Sequence, residues 1–195
     1  MGDRRVRKTQ ESIQAALVAL LGGKPYDKIT VTELCARADV SRITFYAHYA
    51  DKDALIEEMF QRLAAVALAD FGRLQGENNP GGDAVQSYRN LLSCILDLFE
   101  SDGPFLRQMS QRRNPALHAG FYSRVFEQVL GHVERERSRL TPLLGSAPLS
   151  AFLCSGLWAY IDACYAQRVP LARIREETQA LLTGILQSEV FIRTA

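Results

Sequence analysis

Apolar residues recur at helical spacing along nearly the whole chain, and no stretch shows the apolar–polar alternation of a half-buried strand. Ile13, Leu17, Leu20 and Leu21 mark a first helix over about 9–21, ended by Gly22-Gly23 with Pro25 beyond. Ile29-Thr30-Val31 reads as a short extended entry, after which Thr32 caps a second helix to Ala38. Asp39-Val40-Ser41 is a tight turn, and Ser41 caps a short third helix reaching His48 or Tyr49. A long helix over about 51–74 carries Leu55, Ile56, Met59, Phe60, Leu63 and Val66 on one face. GENNPGG, residues 76–82, breaks it. Further helices are predicted over 83–100, 104–112, 115–140, 148–167 and 171–191. Pro104, Pro115, Pro148 and Pro170 each sit near a start, where a missing N–H is harmless. The expectation is an all-α protein of about nine helices. An N-terminal three-helix domain, 1–50 with a basic arm at 1–8, precedes a helical bundle at 51–195.

The net charge of +1 hides an asymmetry. Residues 1–52 hold nine Lys/Arg against six Asp/Glu, including all four lysines, and Arg4, Arg5, Arg7 and Lys8 crowd the arm. A basic lobe on a near-neutral body suits a phosphate-facing surface, although a solubilising tail has the same composition. Glu11, Ser12 and Gln14 interrupt the apolar stretch after the arm, so an amphipathic helix is expected there and no export signal. No apolar run approaches the roughly 18–20 residues of a membrane span. A cytoplasmic protein without membrane contact is expected. Cys35, Cys94, Cys154 and Cys164 lack CxxC spacing and read as buried free thiols. His48, His118 and His132 are isolated, so no metal and no cofactor is expected. No H-E-x-x-H, G-x-S-x-G, G-x-G-x-x-G or phosphate-loop pattern occurs, and an enzyme is not expected.

The chemistry lies in ITVTELCARADVSRITFYAHYADKDAL, residues 29–55. Two short helices joined by a three-residue turn form the helix-turn-helix layout. Ile29, Val31, Leu34, Cys35, Ala38, Val40, Ile43 and Phe45 supply its packing, leaving Ser41, Arg42, Thr44, His48, Tyr46 and Tyr49 to the outside or the seam. An arginine can bond guanine O6 and N7 bidentately, and Thr or Ile can meet a thymine methyl. Tyr hydroxyls and lysine are typical phosphate anchors. Lys52 opens the fourth helix, the wrong end for the helix dipole, and facing a phosphate would explain it.

These positions resemble the TetR family of regulators: Ile29, Thr30, Val31, Leu34, Ala36, Ala38, Val40, Ser41, Thr44, Phe45, Tyr46, Tyr49, Lys52 and Leu55 match its pattern. The match covers about a quarter of the chain. The resemblance implies a dimeric, non-enzymatic regulator, most simply a repressor, that grips a palindromic double-stranded operator. Thr32 would hold a phosphate and Ser41 the recognition-helix start. Arg42, Ile43 and Thr44 would face bases, and Tyr46, His48 and Lys52 would grip the backbone. Ile43 departs from the smaller residue common in the family. Tyr46 and His48 each admit a second role, as core aromatic and helix cap. Tyr49 is expected to seal the third helix against the fourth, and Thr30 to act as a local cap.

In such proteins aromatic and sulfur residues often line an effector cavity. Phe99, Phe105, Met109, Phe121, Tyr122, Phe126 and Trp158 are the candidates here for a small apolar or aromatic effector, in a void of roughly 300 Å³ or more. Solid core is the alternative, with control by a protein partner instead. Arg107, Arg112 and Arg113 could draw an anionic effector. Ser155, Gly156, Ala159 and Ala163, with Thr178, Leu181 and Ile185, would form the dimer face by the same resemblance. Residues 153–182 also weakly resemble a subtype linked to the dihydroxyacetone kinase system. A purely structural helical adaptor, the remaining rival, would not need the outward Arg42, Thr44 and Tyr46.

Overall fold

In the computed structural model, which describes residues 2–109 and 114–193, helix begins ahead of the apolar pattern. Helix α1 spans Gly2–Gly23, so residues 4–8 of the basic arm are exposed helix continuous with the predicted one. Glu11 supports it by pairing with Arg7 one turn back, at 3.5 Å. A 3-10 turn, Tyr26–Lys28, leads into α2 (Val31–Ala38) and α3 (Arg42–His48). The remaining helices are α4 (Lys52–Asn78), α5 (Ala84–Ser101), α6 (Gly103–Leu106), α7 (Pro115–Glu136), α8 (Ser146–Ala166) and α9 (Leu171–Leu186). The chain is all-α in architecture, as its sequence predicts.

One departure is a small antiparallel ribbon, β1 (Leu140–Pro142) with β2 (Phe191–Arg193), pairing Leu140 with Arg193 and Pro142 with Phe191. It shortens two predicted helices: α7 stops at Glu136 and α9 at Leu186. Strands of three residues are too short to show alternation, and Leu140 and Phe191, both buried, also fit a helical stripe. The predicted helix over 104–112 is only the single turn of α6, and Arg112 and Arg113 lie outside the described residues.

Two compact units emerge, one of residues 1–66 and 102–118, the other of 67–101 and 119–195. In the first, Ile13, Leu17, Ile29, Leu34, Phe45, Leu55 and Met59 are almost wholly buried. Phe105 packs on Phe60, ring centroids 6.0 Å apart. Buried Asn114 accepts the Tyr26 N–H at 2.7 Å and donates to the Gln108 carbonyl at 2.7 Å. In the second, buried Leu92, Leu96 and Phe99 of α5 belong to one core with Ile174, Leu182 and Leu186 of α9 and with Leu149, Leu153 and Ile161 of α8. The Gln179 amide of α9 donates to Ser93 of α5 at 2.9 Å.

Helix α8 corrects the expectation that no apolar run reaches spanning length. It is 21 residues long and contains an 18-residue window of mean hydropathy 1.2, so it is long and apolar enough to cross a membrane by length and composition alone. Ser150, Ser155 and Asp162 interrupt the run, which is why it does not stand out as a continuous apolar block. One side buries Leu149, Leu153, Cys154, Ile161 and Cys164. The other exposes Phe152, Ser155, Gly156, Ala159 and Ala163.

Candidate nucleic-acid interface and cavity

The helix-turn-helix is set by local capping. The Thr30 hydroxyl accepts the Glu33 N–H at 3.3 Å, and the Glu33 carboxylate accepts the Thr30 N–H at 3.0 Å. This reciprocal box starts α2 two residues earlier than a Thr32 cap would. Lys24 also pairs with Glu33, and these partners hold its carboxyl down to about 2. Thr32 is therefore not the cap. It stands exposed at the second position of α2, in the turn whose backbone N–H groups have no intrahelical partner. Asp39, at φ 55°, ends α2 in the left-handed region that a short polar side chain tolerates.

Ser41 caps α3 as expected, accepting the Thr44 N–H at 3.0 Å, with the two hydroxyls 2.8 Å apart. Phe45 is fully buried, and Tyr49 nearly so, its hydroxyl donating to Glu58 of α4 at 2.9 Å. Burial and Glu58 push the Tyr49 phenol up to about 12. This seal fixes which face of α3 turns outward. Arg42 is exposed, Ile43 is 84% exposed and Tyr46 49% exposed. The Arg42 guanidinium lies 5.9 Å from the Tyr46 ring centroid. Thr44 and His48 are half-buried at the edges of the same face. Tyr46 is thus a surface residue, not a core aromatic.

Lys52 does not project to the surface as a backbone grip. Its ammonium donates to the carbonyls of Tyr26 at 2.9 Å and Ile29 at 3.0 Å, and lies 4.3 Å from the Tyr26 ring centroid. These two carbonyls offset the adverse dipole at the start of α4.

In the C-terminal unit an apolar cavity of about 50 Å³ lies between α5, α7, α8 and α9. Of the seven aromatic and sulfur candidates only Trp158 lines it; the rest of the wall is chiefly aliphatic, with Leu92, Ile95, Val129, Leu153 and Leu157 among it. Phe99 and Phe121 pack on Trp158, centroids 5.7 and 5.5 Å away. Tyr122 stacks on Phe126 and shares a 2.8 Å hydrogen bond with Ser155. Phe105 and Met109 belong to the core of the first unit. The cavity is smaller than the predicted 300 Å³, and aliphatic residues at i, i+3 and i+4 spacing carry no signal separating cavity wall from core. Beside it, burial and Arg135 hold His132 down to about 4, against 6.5 for an ordinary histidine. The unfolded chain therefore binds the extra proton first, and stability should fall as pH drops from 6.5 towards 4. Urea melts across that range should show the loss, and His132→Leu should flatten that part of the slope.

The proposed dimer residues divide. Ser155, Gly156, Ala159 and Ala163 share the exposed side of α8, and Leu181 of α9 is 46% exposed with Ile185 half-buried. Thr178 is fully buried, its hydroxyl on the Ile174 carbonyl at 2.7 Å, so it lies off that face.

Residues 13–59 match the model of the bacterial regulatory proteins of the tetR family. The uncharacterized HTH-type transcriptional regulator YxbF of Bacillus subtilis (strain 168) is 41% identical over 64 residues, 32% of this chain and 17% of that protein. The chain thus matches only about a sixth of that relative's length. Over nearly its whole length the fold is like that of a putative TetR-family regulator from Syntrophomonas wolfei str. Goettingen. The TM-score is 0.70 at 14% identity, covering 93% of this chain and 94% of that one. It is also like Thermus thermophilus FadR, described as a TetR-family repressor in complex with lauroyl-CoA. There the TM-score is 0.60 at 19% identity, covering 95% and 97%.

Proposed function

We propose, from the premise that this chain is a TetR-family transcriptional regulator, that it is a cytoplasmic repressor binding a palindromic operator as a dimer and leaving it on binding a small apolar effector. The observation that carries the DNA-reading part is the outer face of α3. An isoleucine 84% exposed beside an exposed arginine and tyrosine, on a helix anchored by a wholly buried Phe45, is poor surface for a protein alone in water. It suits a major groove, where Arg42 reaches a guanine edge and Ile43 a thymine methyl. Tyr46, Thr32 and the exposed basic turns of α1 lie with the phosphates, while Ser41 and Thr44 fix the start of the reading helix.

On an operator selected from a random duplex pool, Arg42→Ala should lose about 1–3 kcal/mol and relax preference at one base position. Fluorescence anisotropy across a salt series measures both effects. Unchanged affinity and preference would remove Arg42 from base reading.

The effector part rests on the apolar cavity. Its 50 Å³ is well below the roughly 300–1,000 Å³ of ligand pockets, so an occupant must spread its walls. That requirement ties binding to movement: an effector derepresses only by favouring the conformation that fits the operator less well. FadR, described in complex with lauroyl-CoA, offers a precedent for ligand binding in this fold. The small volume also favours a second reading, control by a protein partner on the body. A thermal-shift screen against apolar metabolites, followed by operator release, separates the two.

A further inference from the structure

Among the buried polar atoms of the C-terminal unit without a hydrogen-bond partner among the described residues are the Tyr88 hydroxyl and both ring nitrogens of His132. The two rings meet edge to face, centroids 4.7 Å apart, and Phe71 closes on His132 at 5.5 Å. Residues this buried, 3% and 1% exposed, normally find a partner. Tyr88 belongs to the wall of the apolar cavity. His132 belongs to a second recess of about 210 Å³, open to solvent and rimmed by Arg135 and Arg139. The lone carboxylate in its wall, Glu136, is already engaged by Ser87 at 3.1 Å and Arg139 at 3.3 Å. Two guanidinium groups against one satisfied carboxylate leave the recess suited to an anion.

We propose that cavity and recess are the two ends of one site, for a carboxylic acid with an apolar body. The body enters the aliphatic cavity. The carboxylate turns into the recess, accepting from Tyr88, from the His132 N–H and from the arginines of the rim. A neutral imidazole has one N–H to give, and proximity of an acid explains why such a ring is kept without a protein partner. The proposal rests on the reading that the cavity holds an effector, and adds what that effector carries at its head.

Trp158, the chain's single tryptophan, lines the cavity and reports occupancy by fluorescence. The probes are octanoate, 1-octanol and methyl octanoate, titrated into the intact protein below micellar concentration. Octanoate should bind saturably, and the two neutral analogues at least about tenfold more weakly, as loss of charge-assisted hydrogen bonds dictates. The double variant Arg135→Gln/Arg139→Gln, on exposed side chains, should weaken octanoate about tenfold and leave octanol unchanged. His132→Leu should act in the same direction. Equal binding of acid, alcohol and ester, or octanoate binding indifferent to the arginine variant, overturns the head site and leaves the apolar effector standing. No response to any of the three overturns the acid site and leaves the recess to water.

Discussion

Gly156→Leu should turn the protein monomeric and abolish operator binding while leaving the subunit folded. A Cβ added at Gly156 meets nothing within 4 Å, so the isolated subunit has room for a larger side chain. The same position lies among Ser155, Ala159 and Ala163 on the exposed side of an apolar helix, with Phe152 62% exposed nearby in sequence. A face of small residues on a 21-residue helix, interrupted by Ser155 and Asp162 but otherwise apolar, is a surface that another helix covers at close range. In a two-fold dimer the substitution acts twice, once from each copy. A monomer then reads one half-site only and forfeits the gain of two linked contacts, roughly 10²–10⁴-fold in affinity. Sedimentation velocity and circular dichroism on the same sample check the claim: loss of the dimer with unchanged helicity is expected. A wild-type monomer at micromolar concentration, or a variant that stays dimeric, would refute this assignment of the face.

Much of this was readable from residues that act over short distances. Ser41 and Phe45 work within one helix, so cap and buried anchor were visible in the string, and with them the outward face of Arg42 and Tyr46. Ile43, read as packing between the helices, is instead 84% exposed, and only the family resemblance turned it outward. The small residues of α8 were legible because four of them recur on one side of one helix. What was missed depends on partners distant in sequence or on one competing local choice. Thr30 and Thr32 both read as caps, and Glu33, three residues after Thr30, decided for Thr30 against Thr32. Phe105 and Met109 share the composition of Phe99 and Phe121, yet the segment carrying them folds into the first unit. Thr178 sits on the same helix as Leu181, but its hydroxyl returns to its own backbone and lets it be buried. The ribbon is three residues a side, below the length at which a period of two declares itself.

Lys52 is where the missing information changes a mutational expectation. As a phosphate grip, its removal would weaken every duplex and reduce the salt slope by about one unit. The geometry gives a different result. The ammonium closes two backbone carbonyls, 26 and 23 residues earlier in the chain, and covers the face of Tyr26, whose hydroxyl donates to Asp53. Lys52 and Asp53 at the start of α4 thereby clamp the turn that delivers the chain into α2. Hydrogen bonds to a charged group contribute about 1.5–3 kcal/mol each, and Lys52→Met leaves two carbonyls short of a donor. A loss of about 3 kcal/mol is expected, or roughly 6–12 °C in melting temperature for a chain of this size. Operator affinity should fall only as far as the helix-turn-helix unfolds, and recover at low temperature. The salt slope of the folded fraction should match wild type, because no phosphate contact has been removed. A variant that melts like wild type but loses one unit of salt slope would return Lys52 to the DNA.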